Sequence, residues 1–214
     1  KIVRLNNLLH NQSLTTISPL CHIGVMPSKL LLRNFEPGTY YYLEHNAKKS
    51  TELFKSDADY QNFILLLSYY VRFPDATPLS WVKRLTPQTV INKRNASELG
   101  ATPVSLHAFL LHPDRFHLVL RENAGGSKPG ISNLMRRVSV GYAMYYNKTY
   151  GTTGTIYHGK YRQKPVPQND LSMLIDEVHH YDEANDTFLS SPLHSSRPDY
   201  TGTARPWITL VPTT

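Results

Sequence analysis

The sequence predicts an α+β domain in which short strands alternate with amphipathic helices. Strand-forming residues occupy positions 39–45, apolar residues recur at helical spacing over 57–72, and an extended segment at 103–111 precedes an alternating one at 116–121. Side chains in a strand alternate with period two, whereas one face of a helix repeats every three to four residues. A chain of 214 residues, 40% of them hydrophobic, is long enough for one well-cored domain with extensions.

The elements of the first half are marked by turn and cap residues. Pro37 and Gly38 form a turn signal before the strand-rich sequence TYYYLEH. Ser56 and Asp59 have the spacing of a capping box, which predicts that a helix begins at residue 57. The two later strands are joined at Pro113 and Asp114. The apolar stripe of the predicted helix is Tyr60, Phe63, Ile64, Leu67 and Val71.

Two further helices are predicted in the second half. The first follows the glycine-rich loop 125–130, which lacks the Gly-Lys-Ser/Thr ending of a phosphate-binding P-loop. The second covers residues 170–183. The stripe of the first is Ile131, Leu134, Met135, Val138, Tyr142 and Tyr145, and that of the second is Leu171, Leu174, Ile175 and Val178.

Composition divides the chain into an arm, a domain with an insertion, and a tail. Residues 1–36 contain four cations and no acid before Glu36, and we interpret them as a basic N-terminal arm. Residues 37–202 form the domain, and residues 73–100 are an insertion without periodicity, either a partner-contacting loop or a spacer. Residues 203–214 are a C-terminal tail.

The overall charge favours a polyanionic partner. The formal net charge is +7 and the isoelectric point is about 9.4, which suits nucleic acid or an anionic membrane surface. The single cysteine, Cys21, excludes an internal disulfide framework and a cysteine-rich zinc site. No apolar run approaches the length of a membrane span. We therefore expect an intracellular protein of a reducing compartment, in the cytoplasm or nucleoid, or in an organelle matrix if the arm follows a removed presequence.

The chemistry of the chain is concentrated in residues 111–120, LHPDRFHLVL. Alternation places Arg115, His117 and Val119 on one face of the strand and Phe116, Leu118 and Leu120 on the other. A guanidinium is always protonated, so Arg115 cannot ligate a metal, although its fork of donors can hold a phosphate. The alternative is that Arg115 and His117 have no binding role and simply form the solvent-exposed face of a half-buried strand.

This strand resembles the "Met-Pro-Asn-His-Phe-His-Leu" strand of single-tyrosine HUH transposases, in particular the REP-associated tyrosine transposases. Residues 131–161 resemble that family's "Tyr-x-x-Tyr-Phe-Asn … Gly-Arg-Tyr" block, and residues 195–202 resemble its "Ser-Ser-Tyr-x-x-Tyr-Leu-Gly" end. The resemblance implies a ferredoxin-like sandwich, with an antiparallel sheet, helices on one face, and the motif strand in a central position.

Two catalytic parts of the family are missing from the matching positions. The resemblance implies a divalent metal held by two histidines, but the first of them is Arg115 and only His117 remains. It also implies a nucleophilic tyrosine on the last helix, where this chain has Val178, or Glu177 if the register slips by one. We expect no metal and no cofactor. The residual catalytic candidates are His117 and Tyr181, and Tyr181 lies about one helical turn beyond Val178.

Cations and aromatic residues are interleaved between residues 121 and 164, where Glu122 is the only acid. Cations neutralise phosphates and aromatic rings stack on unpaired bases, which are the ingredients of single-strand or hairpin binding. We accept Tyr142 and Tyr145 as core residues. The candidate nucleic-acid-binding residues are Arg115, Arg121, Lys128, Arg136, Arg137, Lys148, Lys160, Tyr161, Arg162 and Lys164.

The sequence therefore favours a nucleic-acid-binding protein derived from a single-tyrosine transposase that has lost its metal-binding and nucleophilic residues. Its partner would be single-stranded or hairpin RNA or DNA. One form of this interpretation is a structural RNA-binding subunit of a large ribonucleoprotein such as a ribosome, in contact with other proteins, since a basic arm and a long insertion usually order against a partner. The alternative is an active DNA strand transferase that acts on single-stranded or hairpin DNA with a divalent metal.

Overall fold

The computed structural model of the protein describes residues 34–73, 102–123, 130–180 and 194–211. Most of the predicted arm and insertion, together with Lys128 and Tyr181, lie outside these residues. No helix in the described ranges is long and apolar enough to cross a membrane.

Four antiparallel strands form one sheet in the order β2-β3-β1-β4. Strands β1 and β3 are the interior pair, so the motif strand is central, as predicted. The chain order of strands and long helices is β-α-β-β-α-β, the ferredoxin-like arrangement. The strands are β1 Tyr40–Asn46, β2 Val104–His112, β3 Arg115–Glu122 and β4 Arg162–Val166.

Helix α1, Asp57–Arg72, has the bounds that the sequence predicts, and its capping box is present. The Asp59 carboxylate is buried and accepts hydrogen bonds from the backbone N–H groups of Lys55 (2.9 Å) and Ser56 (3.0 Å). The hydroxyls of Tyr145 (3.0 Å) and Tyr150 (2.6 Å) donate to the same carboxylate. Asp59 therefore joins the start of α1 to the end of the second long helix.

Helix α2, Gly130–Tyr150, packs with α1 on one face of the sheet, which we call the first face. The core there includes Leu43, Phe116, Leu118 and Leu120 from the strands. The predicted α2 stripe is buried except at its end, where Tyr146 is buried and Tyr145 is half-buried, because the Tyr145 hydroxyl turns toward Asp59.

Helix α3, Leu171–His180, covers the opposite or second face, which carries Tyr42, Leu110, His117 and Val119. It contacts β2, and its buried residues Leu171, Ile175 and Val178 are separate from the first-face core. The predicted antiparallel sheet with helices on one face is thus confirmed by the two long helices, and α3 adds a further helix on the second face. The second face is also apolar over β2 and β3, and this surface must be covered.

The outer edge of β2 is paired by residues near the C-terminal end of the described chain. Leu110 forms a bridge with Ser195, the Leu111 N–H donates to the His194 carbonyl (3.0 Å), and the Thr209 N–H donates to the Leu106 carbonyl (2.8 Å). A short helix, α4 Arg197–Thr201, lies between these contacts.

Residues on both sides of the predicted domain boundaries pack against the domain. Trp207 and Ile208, in the region assigned to the tail, are buried in the core. At the other boundary the buried Phe35 ring meets Tyr41 edge-on, with ring centres 4.8 Å apart. The packed unit thus extends beyond residues 37–202 at both ends.

Candidate nucleic-acid interface

The motif strand β3 carries a buried histidine on the second face. His117 is only 4% exposed, and its Nδ1 lies 2.6 Å from the hydroxyl of Tyr42 on the neighbouring strand β1. Burial, reinforced by His112 and Arg115, lowers the pKa of His117 to about 3. The imidazole is therefore neutral at physiological pH. The alternative of a solvent-exposed strand face does not hold for His117 or Val119, because both side chains are buried.

A second buried imidazole, His112, lies beside the first. The two rings are 5.3 Å apart and nearly perpendicular, and His112 is paired with Arg115 across the β2–β3 ladder. Sequence reasoning missed both His112 and Tyr42, because their closeness to His117 depends on cross-strand register.

These residues do not fit the divalent metal that the resemblance implies. One ring nitrogen of His117 is engaged by the Tyr42 hydroxyl, and the adjacent motif position holds the guanidinium of Arg115. Among the residues that the structure describes, no group of three or more His, Cys, Asp or Glu is arranged to hold a metal. A cation would also lie beside the permanent positive charge of Arg115.

Arg115 lies at the start of β3, where the second face meets solvent. It is half-buried, it is paired with Asn46 of β1, and its Nε donates to the adjacent Asp114 carboxylate at 3.0 Å. The contact is between exposed groups and contributes at most about 1 kcal/mol. A phosphate could therefore compete with Asp114 for this guanidinium.

Strand β4 adds two exposed cations to the second face. Arg162 and Lys164 are two residues apart, so they project from the same side of the strand. Arg162 is 68% exposed and lies 3.8 Å from the carboxylate of Glu44 on β1, which in turn is paired with His117 across the sheet. We call Arg115, Lys160, Arg162 and Lys164 the cationic face.

The loop before β4 carries Lys160, the fourth of these cations, and leads to Tyr161, for which the structure corrects the prediction of a nucleic-acid contact. Lys160 is exposed and follows Gly159, whose φ of +64° favours glycine. Tyr161 is a predicted nucleic-acid contact, but it is only 7% exposed and its ring lies edge-on to His45, with centres 6.0 Å apart. Its ring is packed in the core and is not available to stack on a base.

The remaining predicted cations lie elsewhere. Arg136 and Lys148 are exposed on α2, the helix of the first face, and Arg137 lies over the Tyr70 ring of α1 (5.4 Å). Arg121 is at the far end of β3, where its Nε donates to the Gly38 carbonyl at 3.3 Å. The fold thus separates one sequence-level cluster into groups on different surfaces.

The position that the resemblance assigns to the nucleophile is apolar and buried. Val178 is 2% exposed, within the stripe that packs α3 on the sheet, and Glu177 is half-buried. The next residue, His179, shares a hydrogen bond of 2.8 Å with the Ser196 hydroxyl, and burial lowers the pKa of His179 to about 4. Tyr181 lies outside the described residues.

A solved structure of a REP-associated tyrosine transposase bound to a REP hairpin is similar to this chain. The TM-score is 0.50 at 13% sequence identity, and the match covers 85% of this chain and 91% of that chain. At this identity the likeness establishes a shared fold. No family model matches the sequence, and no curated protein matches it.

Proposed function

We propose that the protein binds nucleic acid on the cationic face and does not cleave it. The observation that carries this proposal is the convergence of Arg115, Arg162 and Lys164 on one side of the sheet, where the cross-strand neighbours Tyr42 and His117 are buried and Glu44 is half-buried. Cations spaced across one face of a sheet, on β3 and β4 with β1 between them, match a chain of phosphates, which are themselves regularly spaced.

The electrostatics of the cationic face favour a polyanion. Arg162 is paired with Glu44 at 3.8 Å, and because Arg162 is largely exposed the pair is a weak surface contact. The buried His117 contributes no charge at neutral pH, because its pKa is about 3. The permanent charges are therefore the guanidinium and ammonium groups, which suit phosphate oxygens.

The partner class we propose is a hairpin or an unpaired strand. A similar fold is seen in a transposase bound to a hairpin, which supports this choice. Base recognition in unpaired segments uses aromatic stacking and phosphate contacts rather than groove reading. The same face would serve an RNA hairpin inside a ribonucleoprotein, and parallel titrations with DNA and RNA hairpins of one sequence separate these two partners.

Loss of strand cleavage is the second half of the proposal. Tyrosine transfer needs a phenol in line with phosphorus and a cation on the phosphate oxygens. Val178 at the aligned position has no nucleophilic atom, and the Tyr42 hydroxyl is buried against His117. Arg115 could neutralise phosphate charge, but neutralisation without a nucleophile leaves binding as the remaining activity.

The test is a salt titration of hairpin binding with a charge-matched control. The variant Arg162→Gln/Lys164→Gln should weaken binding by about tenfold at low salt and reduce the slope of log K against log salt by about 0.7 to 0.9 for each phosphate that is no longer neutralised. The control Arg136→Gln/Lys148→Gln removes the same charge from exposed positions on α2. Equal weakening in both variants, or none in either, would show that the cationic face is not the interface.

A further inference from the structure

An open groove of about 760 Å³ lies at the end of the sheet where β1 stops and the β2–β3 hairpin turns. It is formed by the segment after β1, the hairpin turn, the last turns of α2 and the residues that follow α2. This volume is in the range of sites that enclose a small ligand. The lining includes Lys48, Lys49, Lys55, Asp114, Tyr146 and Thr152.

The first wall of the groove is tied to the rest of the domain through its backbone. The N–H of Ala47 donates to the Asp114 carbonyl at 2.6 Å, and the N–H of Lys48 donates to the Ile156 carbonyl at 2.8 Å. A turn closes this wall, with the Thr51 N–H donating to the Lys48 carbonyl at 3.0 Å. The two adjacent lysines are therefore presented from a fixed turn.

The opposite wall is held by Asn147 at the end of α2. Its side-chain N–H donates to the Gly154 carbonyl at 2.9 Å, while its carbonyl oxygens accept from the Thr152 N–H (3.1 Å) and the Thr152 hydroxyl (2.8 Å). Both walls are thus ordered before any ligand arrives, which lowers the entropic cost of binding.

The charge of the lining is positive on balance. It contains three lysines and two carboxylates, Glu52 and Asp114, and Asp114 is already paired with Arg115 at 3.0 Å. The ammonium of Lys55 lies over the rings of Tyr150 (4.4 Å) and Tyr146 (5.1 Å), which orient it by cation–π contacts. The groove therefore presents cations on a rigid, partly aromatic floor.

We propose that this groove binds the sugar–phosphate backbone of an unpaired nucleic-acid strand that flanks the hairpin held on the cationic face. The inference rests on the proposed function and adds a defined path for the flanking strand. Asp114 lines the groove and Arg115 belongs to the cationic face, so the two surfaces meet at adjacent residues. A strand that displaces Asp114 from Arg115 would pass directly into the groove.

The experiment compares three oligonucleotides of matched composition: a hairpin with an unpaired tail, the same hairpin without a tail, and an unpaired strand. The groove variant is Lys48→Gln/Lys49→Gln, which changes two exposed side chains and leaves the backbone hydrogen bonds of the turn intact. We expect it to weaken binding of the tailed hairpin and the unpaired strand about tenfold at low salt, with a salt slope lower by about 0.7 per lysine. Binding of the tailless hairpin should be unchanged.

A second measurement reports the contact directly. Acetylation of Lys48, Lys49 and Lys55, followed by mass spectrometry, should be slowed by the tailed hairpin and not by the tailless one, with Lys148 as the internal control. Unchanged affinity of the groove variant for the tailed hairpin and the unpaired strand would overturn the groove proposal. So would an equal weakening for all three ligands.

Failure of the proposed function gives a different pattern. If the tailless hairpin binds no better than background while the tailed hairpin and the unpaired strand still bind through Lys48 and Lys49, the cationic face is wrong and the groove is right. If the wild-type protein binds none of the three oligonucleotides, both proposals are wrong.

Discussion

The Tyr42 hydroxyl on β1 lies 2.6 Å from Nδ1 of His117 on β3, so two buried polar groups satisfy each other in the middle of the second face. An unpaired polar group at this depth would cost about 1 to 3 kcal/mol. The contact fixes the imidazole orientation and leaves it neutral, since burial lowers its pKa to about 3. Tyr42 and His117 are therefore a buried, hydrogen-bonded pair of neutral side chains.

The first prediction is that no divalent metal binds at His117 with useful affinity. Metal binding would have to displace the Tyr42 hydroxyl or use only the second ring nitrogen, next to the charge of Arg115. Calorimetry with manganese or magnesium should therefore give no binding heat. A micromolar isotherm that disappears in His117→Ala would contradict this.

The second prediction is that the protein forms no covalent adduct with nucleic acid. Incubation with single-stranded and hairpin oligonucleotides plus magnesium should yield no denaturant-resistant complex, because the aligned Val178 lacks a nucleophilic atom. Denaturing gels with a labelled oligonucleotide are the measurement. An adduct that is abolished in Tyr181→Phe, or in Tyr42→Phe, would identify an active tyrosine and restore the strand-transferase alternative.

The third prediction concerns acid sensitivity through His107. Burial lowers the pKa of His107 to about 4, with its Nδ1 in a 2.8 Å hydrogen bond to the Thr209 carbonyl. The unfolded histidine has a pKa near 6.5, so below that pH the unfolded state binds more protons and the free energy of unfolding falls as pH falls toward 4. This residue alone should remove about 3 kcal/mol over that window.

Urea unfolding at pH 7, 6, 5 and 4 measures the effect. The slope of unfolding free energy against pH should be shallower in His107→Gln by up to about 1.4 kcal/mol per pH unit. Parallel curves for wild type and His107→Gln would contradict the assignment.

The fourth prediction is that Asp59→Ala is strongly destabilising. The substitution removes an acceptor shared by two backbone N–H groups and two tyrosine hydroxyls, all at 2.6 to 3.0 Å. Hydrogen bonds to a charged acceptor contribute about 1.5 to 3 kcal/mol each, and the destabilisation should exceed about 3 kcal/mol in chemical denaturation. Asp57→Ala, in the same first turn but exposed, should have a much smaller effect.

The fifth prediction concerns Gly130, the first residue of α2. A Cβ there would lie 2.7 Å from the Pro103 carbonyl oxygen and 2.7 Å from a methyl of Val104. The Gly130 N–H also donates to the buried Glu122 carboxylate at 2.6 Å, so the backbone cannot shift freely. We expect Gly130→Ala to lower stability by about 1 to 3 kcal/mol.

The matched control is in the same helix. A Cβ at Gly141 would meet only the flexible end of Leu66, at 3.1 Å. Thermal unfolding should therefore show a smaller change for Gly141→Ala than for Gly130→Ala. The reverse order would contradict the close packing of the α2 start against residues 103 and 104.

Local patterns predicted much of this fold, and cross-strand contacts account for what they missed. The stripe and capping box of residues 56–71 determine α1 to the residue, because both signals are local. By contrast, Tyr42 meets His117 only through the β1–β3 register, 75 positions apart in the chain. The burial of the second face could have been predicted from the sequence of β2. Ala108 and Leu110 lie in a nearly continuous apolar run, which is typical of a strand that is covered on both faces.

The predicted nucleic-acid-binding residues are also partly separated in space, because their positions depend on the fold and not on local sequence patterns. Residues 121–164 form one basic aromatic segment in the sequence, but a helix and a strand in succession direct their side chains to opposite faces of the sheet. Arg136 and Lys148 consequently lie on α2 while Arg162 and Lys164 lie on β4. Lys48 and Lys49, outside that segment, are brought next to its residues 152–156 by the turn after β1.

The pairing of the β2 edge by residues 194–195 and 209 has a consequence for biosynthesis. These residues come after β2 and β3 in the chain, so in a growing chain β2 has its inner partner β3 before its outer edge is paired. An open strand edge is a template for pairing with another chain. Nascent chains on one messenger would thus be vulnerable to association through β2 until residues 194–209 have left the exit tunnel, and a premature stop after residue 193 would make that vulnerability permanent.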